Sequence, residues 1–163
     1  MMRATGWWWC GVVALWTFAG CNGGRAAAGL GPPGGDPLTI EVESPRETLA
    51  MGESMTVRFN LRNTGADTVR LTFPSGCTVL PFVTTSDTLD IHYPQGGGWA
   101  CTMALTEMTL VPGGVETREM EVTAGGAAGG DRAVLGPGNY LVFARLEHPE
   151  RALRSPMVPL TVR

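Results

Sequence analysis

The histidines and carboxylates of the sequence are the residue types that could support catalysis or metal binding. The chain has two histidines, His92 and His148, and no Gly-x-Ser-x-Gly, His-Glu-x-x-His or P-loop pattern. Asp87 and Asp90 precede His92 closely enough to begin a metal site, but such a site needs three or four converging ligands. A solvated polar face is the favoured interpretation. We therefore expect no enzyme activity, no cofactor and no resident metal.

The methionines and glutamates offer two further chemistries. Thioethers together with a histidine can bind copper in an exported protein. Met55 and Met120 lie on apolar faces of predicted strands, however, so we expect them to fill a core. Glu116, Glu119 and Glu121 lie beside an arginine, which is typical of a solvated strand face rather than of paired catalytic carboxylates. Copper binding remains an alternative function.

The four cysteines divide between the N-terminus and the remainder of the chain. Cys10 and Cys21 fall in or next to an N-terminal apolar segment, which leaves Cys77 and Cys101 in the predicted domain. An even pair in an exported protein is most simply a disulfide. Closing this loop would stabilise the fold by roughly 3 to 4 kcal/mol in the chain-entropy model. The alternative, a thiolate metal or redox site, lacks the Cys-x-x-Cys spacing.

A glycine-rich segment with one aromatic residue stands just before Cys101. In PQGGGWAC (residues 94–101), Trp99 is the side chain best suited to partner contact, because tryptophan is enriched among binding hot spots. Together with Gln95 and Tyr93 it forms the candidate partner contact. The alternative is that Trp99 folds back over an open end of the fold. In both cases a disulfide would hold the loop.

Residues 1–20 have the composition of a cleaved export signal. Arg3 supplies a positive charge, and the uncharged stretch GWWWCGVVALWTF (residues 6–18) is too short to cross a bilayer core of about 30 Å. It runs into FAGC (residues 18–21), which resembles the lipobox of bacterial lipoproteins, with phenylalanine in place of the usual leucine. The resemblance implies lipidation at Cys21. The alternative is a buried apolar strand or helix with an incidental cysteine.

The residues after this signal divide into a tether and a domain. Residues 21–36 comprise the lipidated cysteine and a Gly/Ala/Pro-rich tether, whose root-mean-square reach as a coil is about 20 Å. Residues 37–163 are long enough for one domain with its own core. The protein is therefore expected at the bacterial cell envelope. The outer membrane or cell surface is favoured, since Asn22 replaces the aspartate that retains many lipoproteins at the inner membrane.

The charge of the chain limits the classes of partner that it is expected to bind. The formal net charge is −3, and there is no basic stripe or arginine-rich run that could neutralise phosphates. Nucleic-acid binding is therefore disfavoured. No pattern in the sequence points to a small-molecule substrate.

Apolar and polar residues alternate along most of residues 37–163, and this period of two predicts strands with one buried face. Residues that tolerate positive φ separate the segments at NTGAD (63–67), PGG (112–114) and PGN (137–139). Pro81 marks its segment as an edge or bulged strand. The sequence therefore predicts an all-β, antiparallel β-sandwich. The predicted strands are 38–43, 54–63, 69–73, 79–85, 89–93, 105–111, 117–123, 139–147 and 157–163.

The order of several motifs between residues 55 and 162 resembles a known family. First comes an Asn-rich turn in VRFNLRNTGADTVRLTFPSG, followed by a loop tryptophan in GGGWAC. A Pro-Gly turn follows in LTEMTLVPGG, and a further strand begins in LGPGNYLVFARLE. This order is similar to the BsuPI-type intracellular proteinase inhibitor domain. The resemblance implies an immunoglobulin-like β-sandwich and a protease as partner. The family is described as intracellular, whereas this chain has an export signature.

The favoured function is a non-catalytic binding or assembly protein of the envelope. Its lipid anchor would contact the membrane, and its partner would be a protein. Two alternatives stay open. One is a protease inhibitor, implied by the family resemblance, and the other is a copper-binding envelope protein, suggested by the methionines.

Overall fold

The computed structural model describes residues 35–126 and 132–163. The predictions for the export signal, for Cys21 and for most of the tether lie outside the described residues, as does part of the glycine-rich segment 125–130. Within the described part of the chain, no helix is long and apolar enough to span a membrane. Apart from one 3-10 turn at Gln95–Gly97, the regular structure described is all strand. The strands are β1 (Leu38–Glu43), β2 (Thr48–Leu49), β3 (Ser54–Asn63), β4 (Val69–Phe73), β5 (Val79–Thr85), β6 (Ile91–Tyr93), β7 (Thr106–Leu110), β8 (Val115–Ala124), β9 (Arg132–Leu135), β10 (Gly138–Leu146) and β11 (Val158–Val162).

Two main sheets pack face to face. One sheet has the order β1-β3-β8-β9 and the other the order β2-β11-β10-β5-β6, while β4 and β7 form a separate two-stranded ladder. Residues from all three contribute to one apolar core. Most neighbouring strands are antiparallel, but β2 pairs with β11, and β8 with β9, in parallel. The predicted all-β, mainly antiparallel sandwich is confirmed.

The alternation seen in the sequence is the alternation of burial in the sheets. In β3, the side chains of Met55, Val57 and Phe59 are buried, whereas Thr56 and Arg58 are exposed. Burying a side chain such as that of Phe59 contributes about 1.5–3 kcal/mol. If the pairing of β3 with its neighbours shifted by one residue, its whole apolar face would turn to solvent. The burial pattern therefore specifies the register of β3 with the neighbouring strands.

A buried amide organises the turn after β3. Asn63 is 0% exposed, and its Nδ2 donates to the carbonyl oxygens of Asp67 (2.8 Å) and Leu110 (2.9 Å). Its Oδ1 accepts from the N–H of Gly65 at 3.0 Å. No residue from 63 to 67 has a positive φ, so side-chain hydrogen bonds hold this turn. The expected positive φ does occur in the turn between β7 and β8, at Gly113 (φ 74°).

The segment 89–93 differs from its sequence-based prediction. The alternating pattern suggested a strand from Leu89, but β6 spans only Ile91–Tyr93 and Leu89 has a φ of 60°. Leu89 and Ile91 are exposed, and only Tyr93 of the three apolar residues is buried. The strands β2 and β9 were not predicted. Their two and four residues are too few to show an alternation.

Pro81 lies in β5, as expected, at a position with a partner on one side. It pairs with Ala144 of β10, while β6 reaches only Val83 and Thr84, where the register shifts. The predicted bulged strand is confirmed. Proline is tolerated here because its missing N–H faces no neighbouring strand.

Candidate functional site

A disulfide joins the segment after β4 to the segment before β7. Cys77 and Cys101 are bonded, with Cα atoms 5.4 Å apart and a sequence separation of 24, which confirms the predicted pairing. Residues 94–105 connect β6 to β7 and include Cys101. We call residues 94–105 the disulfide loop.

The disulfide loop has a second attachment next to the disulfide. The N–H of Gly76 donates to the carbonyl oxygen of Thr102 at 2.9 Å. A Cβ atom at position 76 would lie 2.3 Å from the Oγ1 of Thr102, so a side chain there would force the Thr102 hydroxyl to move. The N–H of Cys77 in turn donates to Ser75 Oγ at 3.2 Å. One covalent bond and one backbone hydrogen bond therefore hold the loop against residues 75–77.

Trp99 packs back against the sandwich. Its ring makes edge contacts with Phe82 (ring centroids 6.3 Å apart, planes at 85°) and with Tyr93 (5.2 Å, 85°). Its Nε1 is buried and has no hydrogen-bond partner among the described residues. The structure thus places Trp99 as in the folded-back alternative, although the side chain is only half-buried. Partner contact through its exposed part stays a prediction.

The other two predicted contact residues lie in different environments. Tyr93 is 5% exposed and belongs to the apolar core, so in this structure it supports Trp99 and presents little surface to a partner. Gln95 is exposed on the 3-10 turn Gln95–Gly97. The structure therefore brings Tyr93 and Trp99 together and leaves Gln95 exposed to solvent.

Two apolar side chains of the disulfide loop were missed by sequence reasoning. Met103 is 92% exposed and Leu105 is 70% exposed, the highest values among the exposed large hydrophobic side chains of the described residues. The alternating pattern predicts that Leu105 lies in a strand, but β7 begins at Thr106. The signal that could have identified them is the lack of any charged residue from 94 to 105, beside a disulfide cysteine.

An apolar groove of about 290 Å³ lies beside the disulfide loop. In the register of β5 and β10, Phe82 pairs with Phe143 and Leu80 with Arg145, on the sheet face opposite the core. The rings of Phe82 and Phe143 stack with centroids 5.2 Å apart and planes at 14°. The guanidinium of Arg145 lies 5.1 Å from the Phe82 ring centre, a cation–π distance. Trp99 and the disulfide also line the groove, as do Pro74, Ser75 and Glu147.

The side chains considered for metal binding have other structural roles. Among the residues that the structure describes, no three His, Cys, Asp or Glu side chains come together as a candidate metal site. Asp90 accepts a hydrogen bond from the hydroxyl of Thr88 at 2.6 Å, and His92 is exposed. Met55 and Met120 are 7% and 1% exposed, which confirms their predicted packing in the core.

Two glutamates of β8 form exposed ion pairs, one on each face of the strand. Glu119 lies 2.8 Å from Arg58 on the neighbouring strand, and Glu116 lies 3.4 Å from Arg118. All four side chains are substantially exposed. The predicted solvation of these carboxylates is therefore confirmed, although Glu116 and Glu119 lie on opposite faces of β8, and such exposed pairs contribute little to stability.

Several solved structures resemble the chain at low similarity. The CARDB domain of PF1109 from Pyrococcus furiosus has a TM-score of 0.46 at 12% identity, covering 77% of this chain and 94% of that chain. A beta-glucosidase from Listeria innocua has a TM-score of 0.42 at 15% identity, covering 77% of this chain and 16% of the enzyme. The alkylpurine DNA glycosylase AlkC from Pseudomonas fluorescens has a TM-score of 0.43 at 12% identity, covering 78% of this chain and 30% of the enzyme. The chain thus spans a small part of either enzyme, and such likenesses say nothing about its activity.

The family comparison is more informative. No match was found among curated proteins. The BsuPI family, described as intracellular proteinase inhibitor, matches residues 42–150, which is more than half of the chain. The matched range includes both disulfide cysteines and the entire disulfide loop. The resemblance seen in the order of the motifs is thereby confirmed, and the chain belongs to the BsuPI family of intracellular proteinase inhibitors.

Proposed function

We propose that this chain is a non-catalytic binding protein of the bacterial envelope, held there by a lipid anchor, and that it binds a protease through the disulfide loop. The observation that carries the proposal is the loop itself. It is an exposed, uncharged segment that a disulfide attaches to a domain of an inhibitor family.

The attachment of the loop matters for affinity. A segment that is ordered before binding loses less conformational entropy when it binds, and this preorganisation strengthens the complex. The Cys77–Cys101 bond and the hydrogen bond from Gly76 to Thr102 supply such order here. A loop held in one shape on a rigid β-sandwich is a common arrangement for binding residues.

The envelope part of the proposal rests on the N-terminal sequence and on the disulfide. FAGC (residues 18–21) resembles a lipobox, and Cys21 would carry the acyl chains. The Cys77–Cys101 bond supports export because thiols of cytosolic proteins are kept reduced. The protease partner would then be a secreted or envelope enzyme.

An inhibition assay tests the protease-binding function. The full chain, extracted in detergent from a bacterial host, is titrated against a panel of serine, cysteine and metalloproteases that hydrolyse a small chromogenic substrate. We expect at least one serine protease to be slowed, and the effect to weaken in the Cys77→Ser/Cys101→Ser variant. If no enzyme of the panel is slowed by the unmodified chain, the proposal is wrong.

The apolar groove favours a second candidate, an assembly role in the envelope. Leu80, Phe82 and Trp99 give the groove an apolar lining, and Arg145 and Glu147 add charged groups for contact with another protein. A photo-crosslinking amino acid at Ser75, on the groove, would test this role, with the same probe at Met51 as control. A discrete adduct from position 75 alone, combined with no inhibition of any protease, would favour assembly over inhibition.

A further inference from the structure

The disulfide loop displays two large apolar side chains to solvent. Met103 and Leu105 are 92% and 70% exposed, and they flank Ala104, which is exposed as well. Single exposed apolar residues are common on protein surfaces, but these two share one short segment. No charged residue occurs from 94 to 105. The surface of this segment is therefore suited to an apolar cleft.

The backbone is attached to the fold on both sides of Met103. Before it, the disulfide cysteine is followed by Thr102, whose carbonyl oxygen accepts from the N–H of Gly76 at 2.9 Å. After it, the carbonyl oxygen of Ala104 accepts from the hydroxyl of Thr106 at 3.3 Å, and β7 begins at Thr106. The chain bends at positions 103 and 104. Met103 thus lies exposed on a bent segment whose two ends are fixed.

We infer that Met103 is the side chain that enters the primary specificity pocket of the target protease, with the Met103–Ala104 peptide bond lying across the catalytic centre. This inference rests on the proposed function and adds the contact residue and the class of enzyme. A long, unbranched, uncharged side chain fits a pocket with apolar walls. In a pocket with a carboxylate at its base, the same side chain would leave that carboxylate without a partner. The target is therefore a serine protease that cleaves after large apolar residues.

The residues after Met103 are compatible with this placement. Ala104 has a small side chain, which leaves room for the catalytic groups to approach the peptide bond. Leu105 would lie in an adjoining apolar subsite of the cleft, since it is exposed on the same segment. If the protease cut the bond, both ends would stay attached, one through the disulfide and the other through the pairing of β7 with β4. The loop would consequently leave the cleft slowly, as an inhibitor does.

Two lysine variants of the full chain test the inference. Met103→Lys changes the proposed pocket residue. Met51→Lys is the matched control, because Met51 is also an exposed methionine (50%). Its backbone is likewise held by a hydrogen bond, from the N–H of Met51 to the carbonyl oxygen of Arg163. Inhibition constants of the detergent-extracted proteins are measured against chymotrypsin, which has an apolar pocket, and against trypsin, whose pocket has an aspartate.

We expect the unmodified chain and Met51→Lys to inhibit chymotrypsin in preference to trypsin. Met103→Lys should inhibit chymotrypsin about 30-fold more weakly or worse, the size of a hot-spot loss, and should gain inhibition of trypsin. A misfolded chain would also slow trypsin as a competing substrate, because it contains many arginines, so the gain counts only for a variant that keeps its fold and its disulfide. Circular dichroism and a free-thiol count identify any variant that has lost its fold or its disulfide.

A failure of the inference about Met103 can be distinguished from a failure of the proposed protease-binding function. If the chain inhibits chymotrypsin and Met103→Lys leaves the inhibition constants of both enzymes unchanged, the inference is wrong and the protease-binding function stands. The same holds if the chain inhibits only trypsin or only proteases of another class. If neither the chain nor a variant slows any protease, the proposed function is wrong and the inference falls with it.

Discussion

Asn63 illustrates how a buried side chain defines a corner of this sandwich. Its amide bonds the carbonyl oxygens of Asp67 and Leu110 and the N–H of Gly65, so both ends of the side chain are satisfied. The bond to Leu110 joins the end of β3 to the end of β7, across 47 positions of sequence. A buried polar group that keeps its partners costs little, whereas carbonyls that lose their donor in the interior cost about 1–3 kcal/mol.

We expect Asn63→Ala to lower the free energy of unfolding by about 2–3 kcal/mol, because it removes the donor from two carbonyl oxygens. Urea denaturation followed by circular dichroism measures the change. Asn139→Ala is the control, since Asn139 is exposed, and its effect should stay within about 0.5 kcal/mol. Equal losses in the two variants would contradict the role given to Asn63.

At the scale of elements, the disulfide continues the pairing of β4 with β7. The ladder ends where Phe73 pairs with Thr106. Beyond that pair, the hydrogen bond from Gly76 to Thr102 and the Cys77–Cys101 bond keep the two segments side by side. The disulfide loop is therefore an extension of a ladder that is itself anchored in the core through Phe73, which is fully buried.

Cys77→Ser/Cys101→Ser should lower the free energy of unfolding by about 3.5 kcal/mol, the chain-entropy value for a loop of this length. Guanidinium denaturation with and without reductant measures it. Reductant should destabilise the unmodified chain by a similar amount and leave the double variant unchanged. A double variant as stable as the oxidised chain would show that the bond contributes nothing to the fold.

At the scale of the whole molecule, the start of the domain lies near its disulfide end. Arg151 donates to Asp36, the last residue of the predicted tether, at 2.6 Å. Pro74 contributes both to the cavity lined by Arg151 and to the groove lined by the disulfide. If Cys21 carries the proposed lipid anchor, the tether joins the domain at this end.

Cys21→Ser should abolish incorporation of radiolabelled palmitate and move the protein from the membrane fraction to the soluble fraction. The physical reason is that stable anchoring takes more than one acyl chain, each buried methylene contributing about 0.8 kcal/mol. Cys10→Ser, in the same apolar segment, is the control and should keep both label and location. A soluble, unlabelled wild-type chain would contradict the lipoprotein proposal.

Sequence alone determined the all-β class, most strands and the disulfide. Alternation over a strand such as Ser54–Asn63 reports directly which side chains face a core, because successive side chains point to opposite faces. The Cys77–Cys101 pair followed from cysteine count and expected compartment. These signals are local or compositional, so they can be read without knowing which segments of the chain pack against each other.

Only the tertiary structure decided which residues of the loop face solvent. Tyr93 is buried and Trp99 packs on Phe82, while Met103 is exposed, although all three are large apolar residues in one stretch of sequence. Their exposure depends on contacts with β5 and on the tie to Cys77, which lie elsewhere in the chain. The parallel pairing of the short strands β2 and β9 was likewise decided by distant partners, because strands that short have no periodicity of their own.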